Sequence, residues 1–147
     1  MKNERGIHVK VLFLIYIVIL FRITVFRSGF SLNRLMQNGN LNLTLFQEYI
    51  PLMRQGQWFR FIYLFVGNII WFVPFGSFLM ASGKVKKLWT ATLCGLGLSL
   101  LIETMQYIFG TGVSELDDLV LNTSGVWAGA AAVRLYLCYR GRRKRTD

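Results

Sequence analysis

The sequence predicts an all-α integral membrane protein. It has four transmembrane helices and an interfacial or re-entrant segment in the first outer loop. Three observations carry this prediction. Hydrophobic residues make up 54% of the 147 positions and charged residues only 16%, against about 25% charged in soluble domains. The apolar residues gather into four runs near the length of about 20 needed to cross a hydrocarbon core. The formal net charge is +10, and the basic residues crowd the edges of those runs. Long apolar runs exclude a disordered basic tail or a histone-like nucleic-acid binder. The length is too small for a two-repeat secondary transporter acting alone.

A single membrane domain, 1–147, is expected, with spans at about 9–27, 61–83, 88–110 and 119–139 and a basic tail at 140–147. The first run, Val9 to Phe26, is touched by charge only at Lys10 and Arg22. No small-residue cleavage pattern follows it, so it reads as an uncleaved helix. The loop after it contains LNLTLFQEYIPLMRQGQWFR at 41–60. Pro51 and Gly56 break this stretch, and half of it is polar. It is expected along the outer interface, with Tyr49 and Trp58 at headgroup level. The second run carries no charge, the third only Glu103 and the fourth only Arg134.

Basic residues orient the chain. Lys2, Arg5, Lys10, Lys84, Lys86, Lys87, Arg140, Arg142, Arg143, Lys144 and Arg145 fall on one side. Arg27, Arg34, Arg54 and Arg60 fall on the other. Both termini are therefore expected in the cytoplasm, and the tail reads as a topology and anionic-lipid signal. The implied location is the cell membrane, crossed by all four spans.

Polar groups inside a span need a reason, because an unsatisfied group in hydrocarbon is costly. This topology brings Asn68, Glu103, Gln106, Asp118 and Asn122 to a similar depth near the outer face, with Asp117 beside them. Glu103 and Gln106 stand at i and i+3, and Asp118 and Asn122 at i and i+4, so each pair shares a helix face. These residues are the candidate functional or ligand-binding set. Each also has a plainer role. Asp117 or Asp118 would cap the fourth helix, and Asn68, Gln106 and Asn122 would hydrogen-bond helices together. Glu103 would pair with Arg22 or Arg60. Pro74 would kink the second span and open a cleft, or merely shape the bundle. Gly125 and Gly129, with Gly95, Gly97 and Ser99, read as close-packing positions. Cys94 and Cys138 read as small buried hydrophobes. With no CxxC pair and one histidine, neither a metal site nor a cofactor is expected.

Three blocks, GNIIWFVPFGSFL, SLLIETMQ and DDLVLNTSGVWAG, in this order and spacing, resemble the VanZ-like family, named after teicoplanin-resistance membrane proteins. Asn68, Pro74 and Gly76 match the first block, and Glu103 and Gln106 the second. Asp118, Asn122, Gly125 and Gly129 match the third, with Asp117 ahead of them. The loop sequence LNLTLF is also similar. The resemblance covers about 41–139. Many members carry an Arg shortly before the paired acids, where this chain has Gly112 and Val113. An anion recognised there would need Arg22, Arg54 or Arg60 instead. The resemblance implies low-level resistance to a lipidated glycopeptide.

The favoured reading is a membrane protein of the cell envelope whose outer-leaflet polar cluster engages a lipid-linked cell-wall intermediate, membrane lipids or a lipoglycopeptide. No nucleic acid is involved, and an oligomer is compatible with this reading. The alternative is an intramembrane enzyme working on a lipid headgroup through Glu103, Asp117 and Asp118 as acid, base or Mg²⁺ ligands. No activated Ser, Cys or His accompanies those carboxylates, which weighs toward binding. Transport fits least, because the polar residues gather on one side.

Overall fold

The computed structural model describes residues 2–26, 30 and 39–143, with 2–6 as backbone only. Arg27, Arg34, Lys144 and Arg145, used above to orient the chain, lie outside the described residues. The element order is α1 (Lys2–Thr24), β1 (Asn40–Asn42), α2 (Tyr49–Arg54), α3 (Trp58–Ala81), α4 (Leu88–Phe109), β2 (Val113–Glu115) and α5 (Leu116–Arg143). Among the described residues, three helices are long and apolar enough to cross a membrane: Ile7–Thr24, Trp58–Ala81 and Leu88–Phe109. The fourth apolar run lies within α5, a helix of 28 residues. It is long enough but more polar, because Asp117, Asp118, Asn122 and Arg134 dilute its apolar residues.

The chain divides into two compact units: 1–42 with 101–114, and 43–100 with 115–147. In the first unit Leu20, Val25 and Ile102 are sealed from solvent. Phe30 meets Phe26 and Phe109 edge-on at 4.9 and 5.0 Å between ring centroids, the arrangement favoured by ring quadrupoles. Most of α1 stays outside this core. Only 6% of Ile7–Thr24 is buried, and Leu12, Leu14 and Val18 stand exposed. β1 pairs with β2 in a two-stranded sheet. The α4 helix ends at Gly110 in the left-handed region (φ 58°). There the Thr111 N–H donates to Gln106 O and the Gly110 N–H to Tyr107 O, satisfying carbonyls that the helix end would otherwise orphan.

The second unit is built on α3 and α5, which run side by side and parallel. Asn68 of α3 meets Asp118 of α5, and further along Met80 packs with Ala130 and Ala91. Three glycines allow the backbones to touch. A Cβ on Gly125 would strike the Ile69 carbonyl oxygen, one on Gly129 that of Val73, and one on Gly76 that of Val126. This is the small-residue logic expected of Gly125 and Gly129. Gly95 likewise faces the Val126 side chain, whereas a Cβ on Gly97 would meet open space. Gly97 is therefore not a packing position within these contacts. α3 continues through Pro74 as one helix. Cys94 and Cys138 are exposed, which corrects the expectation that they are buried. Cys138 shares its helix face with Arg134 and Arg142, and an apolar run in the sequence does not say which of its faces are covered.

Candidate functional site

The stretch between β1 and α3 is organised by its own short sequence. Pro51 stands in the first turn of α2, where its missing N–H has no helical partner to lose. Tyr49 and Leu52 share the buried side of α2 at i and i+3, while Ile50 and Met53 face outward. Gly56, at φ 68°, lets the Gln57 N–H reach Leu52 O and its own N–H reach Met53 O. That reversal feeds directly into α3.

Tyr49 is the pivot. The sequence places it at a wet rim, but it is only 2% exposed. Its ring stands edge-on to Phe65 at 5.5 Å and to Phe61 at 6.0 Å. Its hydroxyl is hydrogen-bonded to the Asn68 side chain, and Asn68 Nδ2 donates to Asp118 Oδ1. A polar chain therefore runs from α2 through α3 to α5. Burial, and then the nearby negative charge of Asp118, push the Tyr49 hydroxyl well above the usual phenol range. The group stays protonated until strongly alkaline pH.

Asp117 makes a second bridge. It is 2% exposed, and its two carboxylate oxygens accept the Phe46 N–H at 2.9 and 2.8 Å. Of the two acids expected to cap α5, Asp117 therefore spends its side chain on Phe46 instead. Asp117 and Asp118 sit in the first turn of α5, where negative charge suits the helix dipole, but their oxygens hold groups on other elements. Phe46 itself has a positive φ of 60°, a conformation costing a bulky residue roughly 1–2 kcal/mol. A hydrogen bond to a charged acceptor, about 1.5–3 kcal/mol, is enough to offset that.

One turn beyond Asp118, Asn122 is 4% exposed. Its Nδ2 donates to Ser99 Oγ of α4 at 3.0 Å, and its Oδ1 has no donor among the described residues. Asn68, Asp117, Asp118 and Asn122 all belong to the second unit, and Glu103 and Gln106 to the first. In the first unit Glu103 is buried, and Gln106 is buried with Nε2 donating to Thr24 O at 3.3 Å. Arg60, one suggested partner of Glu103, lies 4.0 Å from Glu48. Arg22, the other, donates to Phe26 O. Among the described residues no group of three or more His, Cys, Asp or Glu is placed to hold a metal ion.

Tyr49, Phe46 and Ser99 were not among the sequence candidates. Ser99 carried a signal, since it precedes Glu103 by one turn on α4. Phe46 carried none, because a backbone N–H has no sequence signature.

Comparison with known proteins adds the following. A model of the family described as VanZ/LLP1 matches residues 13–137. "Protein VanZ" of Enterococcus faecium is 34% identical over 64 residues, which is 44% of this chain and 40% of that protein. The match therefore spans less than half the length of that curated relative. No solved structure matches.

Proposed function

Because the chain belongs to the VanZ/LLP1 family, we propose that it acts in the bacterial cytoplasmic membrane on a lipid-linked envelope component or a lipoglycopeptide, such as teicoplanin. In this reading α1, α3, α4 and α5 all cross the membrane and both termini are cytoplasmic. Residues 43–57 form a re-entrant element on the outer side. The observation that carries the proposal is the polar chain Tyr49–Asn68–Asp118, built between otherwise apolar helices. An ionisable group in such surroundings is a functional-site signal by default. Trp58 precedes Asn68 by ten positions along α3, about 15 Å of helix. If α3 enters the membrane near Trp58, then Tyr49 and Phe46 hang well below the headgroups. Exposed Ile50, Met53, Phe59 and Tyr63 then face acyl chains rather than water. Apolar surroundings with a few convergent polar groups suit an amphiphile.

The topology has a direct test. With Cys94 and Cys138 replaced by Ala, a cysteine at Val113, which is exposed, is expected to react with an impermeant maleimide added outside intact cells. A cysteine at Lys86 is expected to stay protected. The reverse labelling would overturn the orientation.

The function is tested in a glycopeptide-sensitive Gram-positive host. Expression is expected to lower sensitivity to teicoplanin more than to vancomycin, because only teicoplanin carries an acyl chain. Each buried methylene is worth about 0.8 kcal/mol, so a lipid-lined site discriminates strongly between the two drugs. Asp118→Asn is expected to erase the difference while leaving the protein in the membrane. Equal protection against both drugs would indicate a general envelope effect instead.

A further inference from the structure

We infer that the distal end of α5 and the turn between α3 and α4 together form a binding site for an anionic phospholipid. The inference rests on the reading that α3, α4 and α5 cross a membrane. It is independent of any ligand at the Tyr49–Asn68–Asp118 chain.

The surface is assembled within the second unit. Val85 and Leu88, at the α3–α4 turn, and Val133 of α5 pack against the same cluster of Met80, Ala91 and Ala130. The turn therefore stands level with the part of α5 that carries Arg134. Lys84, Lys86 and Lys87 flank Val85 and are exposed, as is Arg134. Arg134 is expected from the sequence inside the fourth span, but this packing sets it level with the end of α3 at Ala81. Lys87 Nζ lies 5.9 Å from the centre of the Trp89 ring, and Trp89 is exposed. Tryptophan and lysine side by side at a helix end suit a membrane–water boundary. From Arg134 to Arg143 the helix continues for about 14 Å, with Arg140 and Arg142 exposed near its end. No Asp or Glu stands in 49–102 or 119–146, so these stretches carry no acid of their own.

Charge alone would attract any polyanion. Two further observations select a lipid. Distal α5 interleaves its arginines with Leu135, Tyr136, Leu137 and Tyr139, all exposed. Apolar and aromatic side chains between cations suit the zone where acyl chains meet headgroups. In addition, an open recess of about 250 Å³ is lined by Leu137, Cys138, Gly141 and Arg142. A Cβ on Gly141 would meet nothing within 4 Å, so the glycine leaves the recess its room. The lining pairs apolar side chains with one guanidinium. A phosphodiester on an acylated glycerol matches both. Its oxygens accept from Arg142 with charge assistance, and its chain covers Leu137 and Cys138. A soluble phosphate matches only the guanidinium, and a zwitterionic lipid brings a cation into a basic field. The occupant is therefore a phospholipid of net negative charge, in the cytoplasmic leaflet of the proposed orientation.

The full-length protein, purified in detergent, is incubated with an equimolar mixture of dioleoyl phosphatidylglycerol and dioleoyl phosphatidylcholine. Retained lipid is then read by native mass spectrometry. Retention of phosphatidylglycerol is expected to exceed that of phosphatidylcholine by about tenfold, the scale of one to two basic side chains at an anionic surface. Arg134→Gln combined with Arg142→Gln is expected to bring the two lipids to within about twofold of one another. Lys10→Gln combined with Arg54→Gln removes the same charge elsewhere and is expected to leave the preference unchanged. Gly141→Leu fills the recess without altering charge, and is expected to lower phosphatidylglycerol retention about fourfold, the worth of one buried methylene. Excess glycerophosphoglycerol, the same headgroup without chains, is expected to displace none of the bound lipid. Equal retention of the two lipids by the wild-type protein would overturn the site. So would full retention in Gly141→Leu, or a loss of preference in the Lys10 and Arg54 variant as large as in the Arg134 and Arg142 variant. Displacement by glycerophosphoglycerol would overturn the lipid as its occupant. Maleimide labelling at Val113 and Lys86 reports the topology separately, so a missing preference beside the expected labelling counts against the lipid site alone.

Discussion

Gly125→Leu is expected to leave little folded protein, whereas Gly97→Leu, in the neighbouring helix, is expected to be nearly silent. Both residues are glycines inside long helices, and intrinsic propensity favours replacing either one. Packing decides between them. At Gly125 the first added carbon meets the Ile69 carbonyl oxygen, and at Gly97 it meets nothing within 4 Å. A backbone carbonyl cannot rotate away as a side-chain tip can. The added carbon must therefore push α5 off α3, and the contacts at Gly129 with Val73 and at Gly76 with Val126 are lost with it. Overpacking of this kind costs about 3 kcal/mol or more, a fall of roughly 10 °C in melting temperature. Gly125→Ala already places the offending carbon and is expected to show most of the effect. Melting of the detergent-purified protein, followed by fluorescence-detected size exclusion, compares the variants directly. Equal melting temperatures for Gly125→Ala and Gly97→Ala would show that the close approach of α3 and α5 contributes nothing.

The contrast between these glycines marks what the sequence discloses. Helix identity was legible because a span of about 20 apolar residues has few other uses. The Gly125/Gly129 spacing was legible because small residues one turn apart make a flat stripe on a helix. The same reasoning failed at Gly97, since a glycine beside Gly95 lies on a different face of α4. It failed at Cys94 and Cys138 for a related reason. An apolar run does not say which of its faces a neighbouring helix covers, and Cys138 stands on the face that also carries Arg134 and Arg142. Of the candidate site, the i,i+4 relation of Asp118 and Asn122 was legible from spacing. Their partners were not, because Asn68 stands 50 residues from Asp118 and Ser99 stands 23 from Asn122. Least legible was the role of Asp117. A pair of acids opening a helix reads as a cap, and nothing in LNLTLF announces that one of its backbone N–H groups will occupy the carboxylate instead.

That clamp makes a sharp prediction about the segment it holds. Asp117→Ala is expected to free residues 43–57 locally while α3 and α5 remain packed. The Phe46 N–H would lose both of its acceptor oxygens, and Phe46 would be left in the left-handed region with nothing to offset the strain. Loss of a hydrogen bond to a charged acceptor is worth about 1.5–3 kcal/mol. Local opening therefore becomes roughly 10- to 100-fold more frequent. Trypsin reports this at Arg54, which is exposed at the end of α2 but is cut only when the helix opens. When opening and closing are fast, cleavage follows the population of the open form, so the rate at Arg54 is expected to rise by that factor. Asp117→Asn keeps one acceptor oxygen without its charge and is expected to fall between wild type and Asp117→Ala. Tyr49→Phe tests whether the polar chain on α2 shares the task. It keeps the ring against Phe61 and Phe65 and removes only the hydroxyl, so a smaller rise, about threefold to tenfold, is expected from loss of one neutral hydrogen bond. An unchanged cleavage rate in Asp117→Ala would show that the aromatic contacts of Tyr49 alone hold the segment down. A rise for Asp117→Ala with none for Tyr49→Phe would assign the anchoring to the first acid of α5 and leave Asn68 and Asp118 to the ligand.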